Sequence, residues 1–304
     1  MKFLKTFGKF FLKILPNILF IVLIALMFVS GERKADKPLY FIVAVSAMHI
    51  YFLISRFRHK DQSTGAFSIL YLFLIIWEIG SRITGKANAI LMPPPENVFA
   101  VFYDDRKVIL KGLGSSMYLL VFGLLTGIIV SIILGLIIGW VPRLKNAAFP
   151  IVKVISAIPP LIYTPYVISF MPTFKSASIF VIFLGVFWPM LMSIINRVSE
   201  IDPTLIQCSH SLNIKPFTMV TRVVFPYCLP SIVGGLPIGI SMSFMILTFA
   251  ELLGGDSGLG FFVSRASQNS NYTRVIAGII IIGIVVTVVN ALVHLLQKRI
   301  LRWA

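Results

Sequence analysis

The sequence predicts an all-α integral membrane protein that crosses the bilayer several times. Three observations carry that prediction. Of 304 residues, 58% are hydrophobic and only 12% charged, and mean hydropathy is +0.94, more apolar surface than a soluble domain of this length hides. Several near-continuous apolar runs reach the ~20 residues that span a ~30 Å hydrocarbon core at ~1.5 Å rise per residue. The basic residues gather in short clusters between these runs, as the positive-inside rule leads one to expect. A net charge of +16 therefore reports topology. No basic stripe with interleaved aromatics appears, so no nucleic-acid partner is expected.

Taken in order, the runs read as eight spans: roughly Phe11–Ser30, Pro38–Ser55, Phe67–Ile83, Ser116–Trp140, Phe149–Phe170, Ser176–Ile195, Cys228–Leu253 and Val275–Leu296. Lys2, Lys5, Lys9 and Lys13 precede the first; Arg56, Arg58 and Lys60 follow the second; Arg143 and Lys145 follow the fourth; Lys298, Arg299 and Arg302 close the chain. With eight spans these clusters fall on one side, the cytoplasm, with both termini. The opposite loops mix signs, as in Glu32, Arg33, Lys34, Asp36 and Lys37. The apolar run Ile14–Val29 exceeds the ~7–15 residues of a signal-peptide core, so the first span reads as a retained anchor.

The third span holds Glu78 in "IIWEIGSRI", with Arg82 at i+4 on the same helix face, and an ion pair is expected. After it, "LMPPPENVFAVFYDD" turns at its prolines and reads either as a short amphipathic helix starting near Pro95 or as an ordered loop. The fourth span repeats a small residue at every fourth position: Gly123, Gly127, Ser131, Gly135 and Gly139. Such a ridge lets a neighbouring helix come close, which in lipid is how helices associate. The fifth span contains "ISAIPPLIYTPY", where Pro159, Pro160 and Pro165 remove backbone donors. A break there is tolerated where protein or a wet cavity satisfies the freed carbonyls. Ser156, Pro159, Pro160, Tyr163 and Thr164 are thus candidate pathway residues, with a plain structural kink as the other reading. Glu251, in "LTFAELLGGDSGLG" near the end of the seventh span, either borders the pathway or has a structural role.

Catalysis and metal binding find no support. "GSRITGKA" nearly spells a P-loop, but Ala87 stands where Ser or Thr should hold magnesium and no strand precedes it. "GGDSGLG" resembles a dinucleotide fingerprint only loosely, and Asn271-Tyr272-Thr273 is a glycosylation sequon by pattern alone. Cys208 and Cys228 have no metal-ligand spacing, and His49, His59, His210 and His294 are scattered. No catalytic residue, cofactor-binding residue or metal ligand is expected in this chain.

One polar stretch interrupts the spans: "DPTLIQCSHSLNIKPFTMVTRVVFP", Asp202 to Pro226. Asp202-Pro203 makes a good helix start, Asp as cap and Pro in the first turn. Leu205, Ile206 and Leu212 give an apolar face. Asn213 sits where a helix ends in the left-handed region. Lys215-Pro216 starts a second short helix through Met219, Val220, Val223 and Val224, stopped before Pro226. The result is a compact, partly apolar knob suited to a groove on a partner.

Here the sequence resembles the binding-protein-dependent ABC transporter permeases, which carry a cytoplasmic E-A-A-x3-G-x9-I-x-L-P loop. The E-A-A positions fall on Gln207, Cys208 and Ser209, the glycine on Asn213, and I-x-L-P on Val223, Val224, Phe225 and Pro226. Spacing is kept throughout while identities differ at most positions. "LMPPPENVF", "ISAIPPLIYTPYVISF", "AELLGGDSGLGFFV" and the last apolar run resemble the nitrate/sulfonate/taurine branch, over about Phe67 to Trp303. The resemblance implies a six-helix importer permease core, with the first two spans as an N-terminal addition. Residues 1–65 are then the two-helix extension and residues 66–304 the transmembrane domain, with its coupling loop at about 200–226. It implies a bacterial cytoplasmic membrane and a second permease subunit, in a homodimer. It also implies a cytoplasmic ATPase subunit that alone uses ATP, docked on Asp202, Pro203, Gln207, Cys208, Ser209, Leu212, Asn213, Val223, Phe225 and Pro226. An extracytoplasmic binding protein would deliver a small anion such as a sulfonate or a nitrate-like oxyanion, moved by alternating access. Two other readings compete: an ion-coupled secondary transporter, which should show paired intramembrane carboxylates or repeated halves, and a membrane scaffold, against which the proline-broken span speaks.

Overall fold

The computed structural model describes residues 2–33, 37–59, 62–85, 88 and 90–301, with no strand among them. Lys34, Asp36, Lys60, Lys86, Ala87, Arg302 and Trp303 of the readings above lie outside the described residues. The chain divides into two compact units, Met1–Ile109 with Arg265–Ile279, and Leu110–Ser264 with Ile280–Ala304.

The first unit holds α1 (Lys2–Met27), α2 (Pro38–His59), α3 (Gln62–Glu78) and α4 (Pro95–Asp104). α1, α2 and α3 meet around aromatic rings. Phe20 stacks on His49 with centroids 4.0 Å apart, and His49 Nδ1 lies 3.1 Å from the Tyr71 hydroxyl. Phe41, Phe52 and Tyr71 are fully buried, and aromatic side chains bury large areas each. α4 settles the two readings of its segment: it is a helix, with Pro95 in its first turn and Val98, Ala100 and Val101 buried.

α3 ends in a π-helical turn, Ile79–Ile83, in which the Thr84 amide donates to Ile79 O. The expected pair is present: Arg82 Nε donates to Glu78 Oε1, both side chains buried. A second carboxylate, Glu96 of α4, brings Oε1 to 3.1 Å from the same nitrogen. Arg82 Nη1 and Nη2 donate to the carbonyls of Val29 and Leu26, at 3.0 and 2.6 Å. The end of a helix leaves carbonyls without intrahelical partners, and a cation there also meets the negative end of the helix dipole. One guanidinium thus closes α1 and ties it to α3 and α4.

Burial, and then the charge of Glu78, push the Glu96 carboxyl up to about 7. A carboxyl that holds its proton more tightly when folded loses stabilisation as pH rises from its unfolded value, near 4.5, through 7. Thermal stability in lipid nanodiscs should therefore fall between pH 5 and about 7.5. Glu96→Gln should flatten that slope; an unchanged slope would place the titration elsewhere.

The second unit holds the larger part of α5 (Arg106–Trp140), all of α6 (Pro142–Ser156), α7 (Pro160–Phe170), α8 (Phe174–Ser199), α9 (Pro203–Ser211), α10 (Pro216–Met219) and α11 (Phe225–Gly254), and the larger parts of α12 (Leu259–Gln268) and α13 (Tyr272–Ile300). The small-residue ridge of α5 does what its spacing predicts. A Cβ on Gly123 would lie 2.7 Å from Ile182 Cβ, one on Gly135 2.8 Å from Ile194 Cγ2, and one on Gly139 2.9 Å from Val198 Cβ. Small residues on α5 face branched ones on α8, and Leu119, Leu120, Val181, Ile182, Ile240 and Phe244 continue the core beside them.

Among the described residues, six helices are long and apolar enough to cross a membrane, from Pro38–Arg56 to Tyr272–Ile300. Three expectations change. The first expected span, Phe11–Ser30, is carried by α1 with other bounds, Lys2–Met27. The expected fifth span is no single kinked rod: α6 and α7 meet at 91°. Pro159 and Pro160 offer no amides, and a residue before proline is driven out of helical geometry, so Pro159 itself is extended at φ −61°, ψ 128°. Third, the helix after Asn213 does not stop before Pro226. α10 passes through a π-helical turn, Val220–Val224, straight into α11, with the Phe225 amide donating to Val220 O. A wider turn avoids the collision that a proline ring makes with the carbonyl four residues back, so the helix runs on.

Candidate functional site

The helix start and the turn of the knob form where the sequence places them. The Thr204 amide donates to Asp202 Oδ1 at 2.8 Å, capping α9, and this bond holds the Asp202 carboxyl below its usual range. Two residues past the end of α9 stands Asn213, whose φ is 50°. The Ile214 amide then reaches back to Ser209 O at 3.2 Å, the bond that closes a helix through a left-handed residue.

What the sequence misjudged is the knob's apolar face. Ile206, Ile214, Met219, Val223 and Val224 turn inward onto Leu136, Ile194, Val198 and Cys228. Leu205, Leu212 and Phe217 turn outward, Leu212 and Phe217 being 74% and 80% exposed. Gln207 and Cys208 are exposed as well, whereas Ser209 is buried. Of the ten residues of the expected docking loop, Val223 and Phe225 pack against this inner cluster, and the outer surface is left to α9, the turn and the start of α10. The packed base thus leaves three large apolar side chains facing outward.

The second constellation surrounds the break between α6 and α7. A cavity of about 450 Å³ opens there, with α5, α8 and α11 as its other walls. Ser156, Pro159, Pro160 and Tyr163 line it, and Thr164 does not. Thr164 is buried, its hydroxyl donating to Pro160 O at 2.8 Å. Ser156 Oγ donates to Trp188 O at 3.0 Å, fastening the break to α8. The lining also includes Trp188, Ser193, Ser231, Gly235, Gly239 and Met242, which sequence reasoning missed. The signal was the glycine- and proline-rich "SIVGGLPIG" of α11, since glycines inside an apolar helix leave space beside the backbone.

Glu251 lies apart from this cavity. Ser116 Oγ donates to its Oε1 at 2.6 Å and the Gly260 amide to its Oε2 at 2.7 Å, while the Leu259 amide donates to Ser116 Oγ. The carboxylate is 1% exposed and sits at the start of α12, where free amides and the helix dipole favour an anion. Gly258, at φ 125°, passes so close that a Cβ there would overlap the carboxylate. Glu251 is the clasp of the connection between α11 and α12, in keeping with its structural reading.

Helices long and apolar enough to cross a membrane, with one bent pair of helices opening on a cavity, make this a multi-span membrane chain. Residues 113–302 match the family described as binding-protein-dependent transport system inner membrane component, and the chain belongs to it. This is the permease family of ABC importers, whose members are transport components that work with an ATPase and a substrate-binding protein. The chain is 27% identical to SsuC of Bacillus subtilis (strain 168), a permease protein named for aliphatic sulfonates transport, over 76% of this chain and 84% of that one. It is also 27% identical to the nitrate import permease protein NrtB of Synechocystis sp. (strain ATCC 27184 / PCC 6803 / Kazusa), over 75% and 86%. Its fold is that of a chain of the MetNI methionine ABC transporter in an inward-facing conformation: TM-score 0.55, 18% identity, covering 66% of this chain and 97% of that one.

Proposed function

We propose that this chain is the permease subunit of an ATP-driven importer that moves a small anion or related organic compound by alternating access. Its knob docks in a groove of a cytoplasmic ATPase, a second copy completes the pathway, and both termini face the cytoplasm. Residues 1–65 are an addition to the six-helix core. The outward apolar patch of Leu205, Leu212 and Phe217 above a packed base carries this reading. The names of SsuC and NrtB support the solute class. The test is ATP hydrolysis by the complex reconstituted with its binding protein. Stimulation by a sulfonate or an oxyanion is expected, and failure of any ATPase subunit to co-purify would refute it.

Within the knob, Asn213 is the sensitive position. Left-handed backbone costs an ordinary L-residue on the order of 1–2 kcal/mol, most for β-branched side chains and nothing for glycine. Asn213→Val should leave abundance in the membrane near normal while reducing ATPase recovery and coupled hydrolysis; Asn213→Gly should preserve both. Equal recovery for the two variants would mean that the turn does not carry the coupling.

A further inference from the structure

The cavity at the α6–α7 break has a chemical character that narrows the cargo, given the permease reading above. No charged side chain lines it. Its polar side chains are Ser156, Tyr163, Ser193 and Ser231, and the Ser156 hydroxyl proton is already committed to Trp188 O. The remaining wall is aliphatic and thioether surface, the Trp188 ring, and a bare strip of α11 backbone at Gly235 and Gly239. A Cβ added at either glycine would meet nothing within 4 Å, so the strip is open space.

A small inorganic oxyanion is a poor fit to such walls. Sites that hold oxyanions use guanidinium, ammonium or clustered amide donors, and stripping a compact ion of water without them is strongly unfavourable. An alkyl or aromatic body gains in the same place, because taking apolar area out of water is favourable. About 450 Å³ also falls in the ~300–1,000 Å³ range of pockets that enclose organic ligands, mostly apolar with a few hydroxyls to orient them.

We propose that this cavity is a binding site for the carbon body of an organic solute, alkyl or aromatic, and that it discriminates against inorganic oxyanions such as nitrate. The glycine strip at Gly235 and Gly239 gives the body its room, and the hydroxyls of Tyr163, Ser193 and Ser231 meet its polar end.

Trp188 is a reporter already in place. In the permease–ATPase complex in nanodiscs, with Trp77, Trp140 and Trp303 replaced by Phe, hexanesulfonate and benzenesulfonate should shift Trp188 emission saturably, whereas nitrate should not. Gly235→Leu should weaken that binding at least tenfold. Gly234→Leu, equally free of neighbours but outside the lining, should leave it unchanged and controls for folding. Equal responses to nitrate and the sulfonates, or equal binding by both leucine variants, would overturn the proposal. So would an emission that follows the lipid acyl chain and ignores every solute, since the cavity would then be a lipid site. Solute-stimulated hydrolysis accompanied by a silent Trp188 would leave the permease reading standing while this one fell.

Discussion

Arg82→Leu should cost about 3–5 kcal/mol of stability, the usual result of taking one partner from a buried ionic cluster. The loss is large because four groups lose their partner together. Glu78 and Glu96 would be left facing each other with no exposed surface, and the carbonyls of Leu26 and Val29 would lose the nitrogens that now reach them. If the cost is the stranded charge, removing the charge should repair it. Glu78→Gln with Glu96→Gln in the Arg82→Leu background should recover most of the lost stability. Thermal unfolding in nanodiscs reads both, and limited proteolysis between α1 and α2 reads the release of α1. A stable single variant would show that the guanidinium is not what joins these helices.

Gly123→Leu should be the most damaging change on the second unit's seam. Its Cβ would lie 2.7 Å from Ile182 Cβ and 2.9 Å from Ile179 O. A backbone oxygen and a branch point cannot rotate aside, so the helices themselves must part. Overpacking of this kind costs typically ~1–3 kcal/mol. Since lipid offers no hydrophobic gain for re-association, the seam should not re-form. Alanine substitutions should grade with the measured space. Gly123→Ala should lower the thermal midpoint more than Gly127→Ala, whose nearest contact would be 3.1 Å, and Gly114→Ala, with nothing within 4 Å, should be neutral. An even response along α5 would mean that the ridge does not set the helix spacing.

Whatever depends on a local or periodic signal could be read from the chain. The i+4 repeat of small residues named the α5 face, the Glu78–Arg82 spacing named an ion pair, and Asp202-Pro203 and Asn213 named the two ends of α9. What depends on a distant partner could not be read. Glu96 gives no sign in sequence that it joins Glu78 and Arg82, and Ser116 gives none that it bonds to Glu251, 135 residues away. Prolines were legible as donors lost, but not as geometry. Pro159 and Pro160 open a right-angled break, while Pro226 is absorbed by a π-helical turn and the helix continues. The difference lies in whether neighbouring amides find another carbonyl, which is a property of the surrounding packing. For the same reason the cavity was only half visible. Its α6–α7 side was marked by prolines, whereas its α8 and α11 walls are ordinary apolar sequence until they are placed opposite.

The clasp at Glu251 has a kinetic consequence. Backbone amides in a connection normally trade their protons with solvent quickly, because nothing must unfold to release them. Those of Leu259 and Gly260 are bound to Ser116 and Glu251, and the Phe262 amide donates to Gly258 O. Their exchange therefore waits on a joint opening of α5, α11 and α12 rather than on local fraying. Deuterium labelling should find residues 259–262 as slow as the helices that flank them, and fast after Glu251→Ala. In an importer that cycles, the same amides become a clock: each excursion that parts these helices would leave its mark as deuterium, so labelling during turnover would count openings.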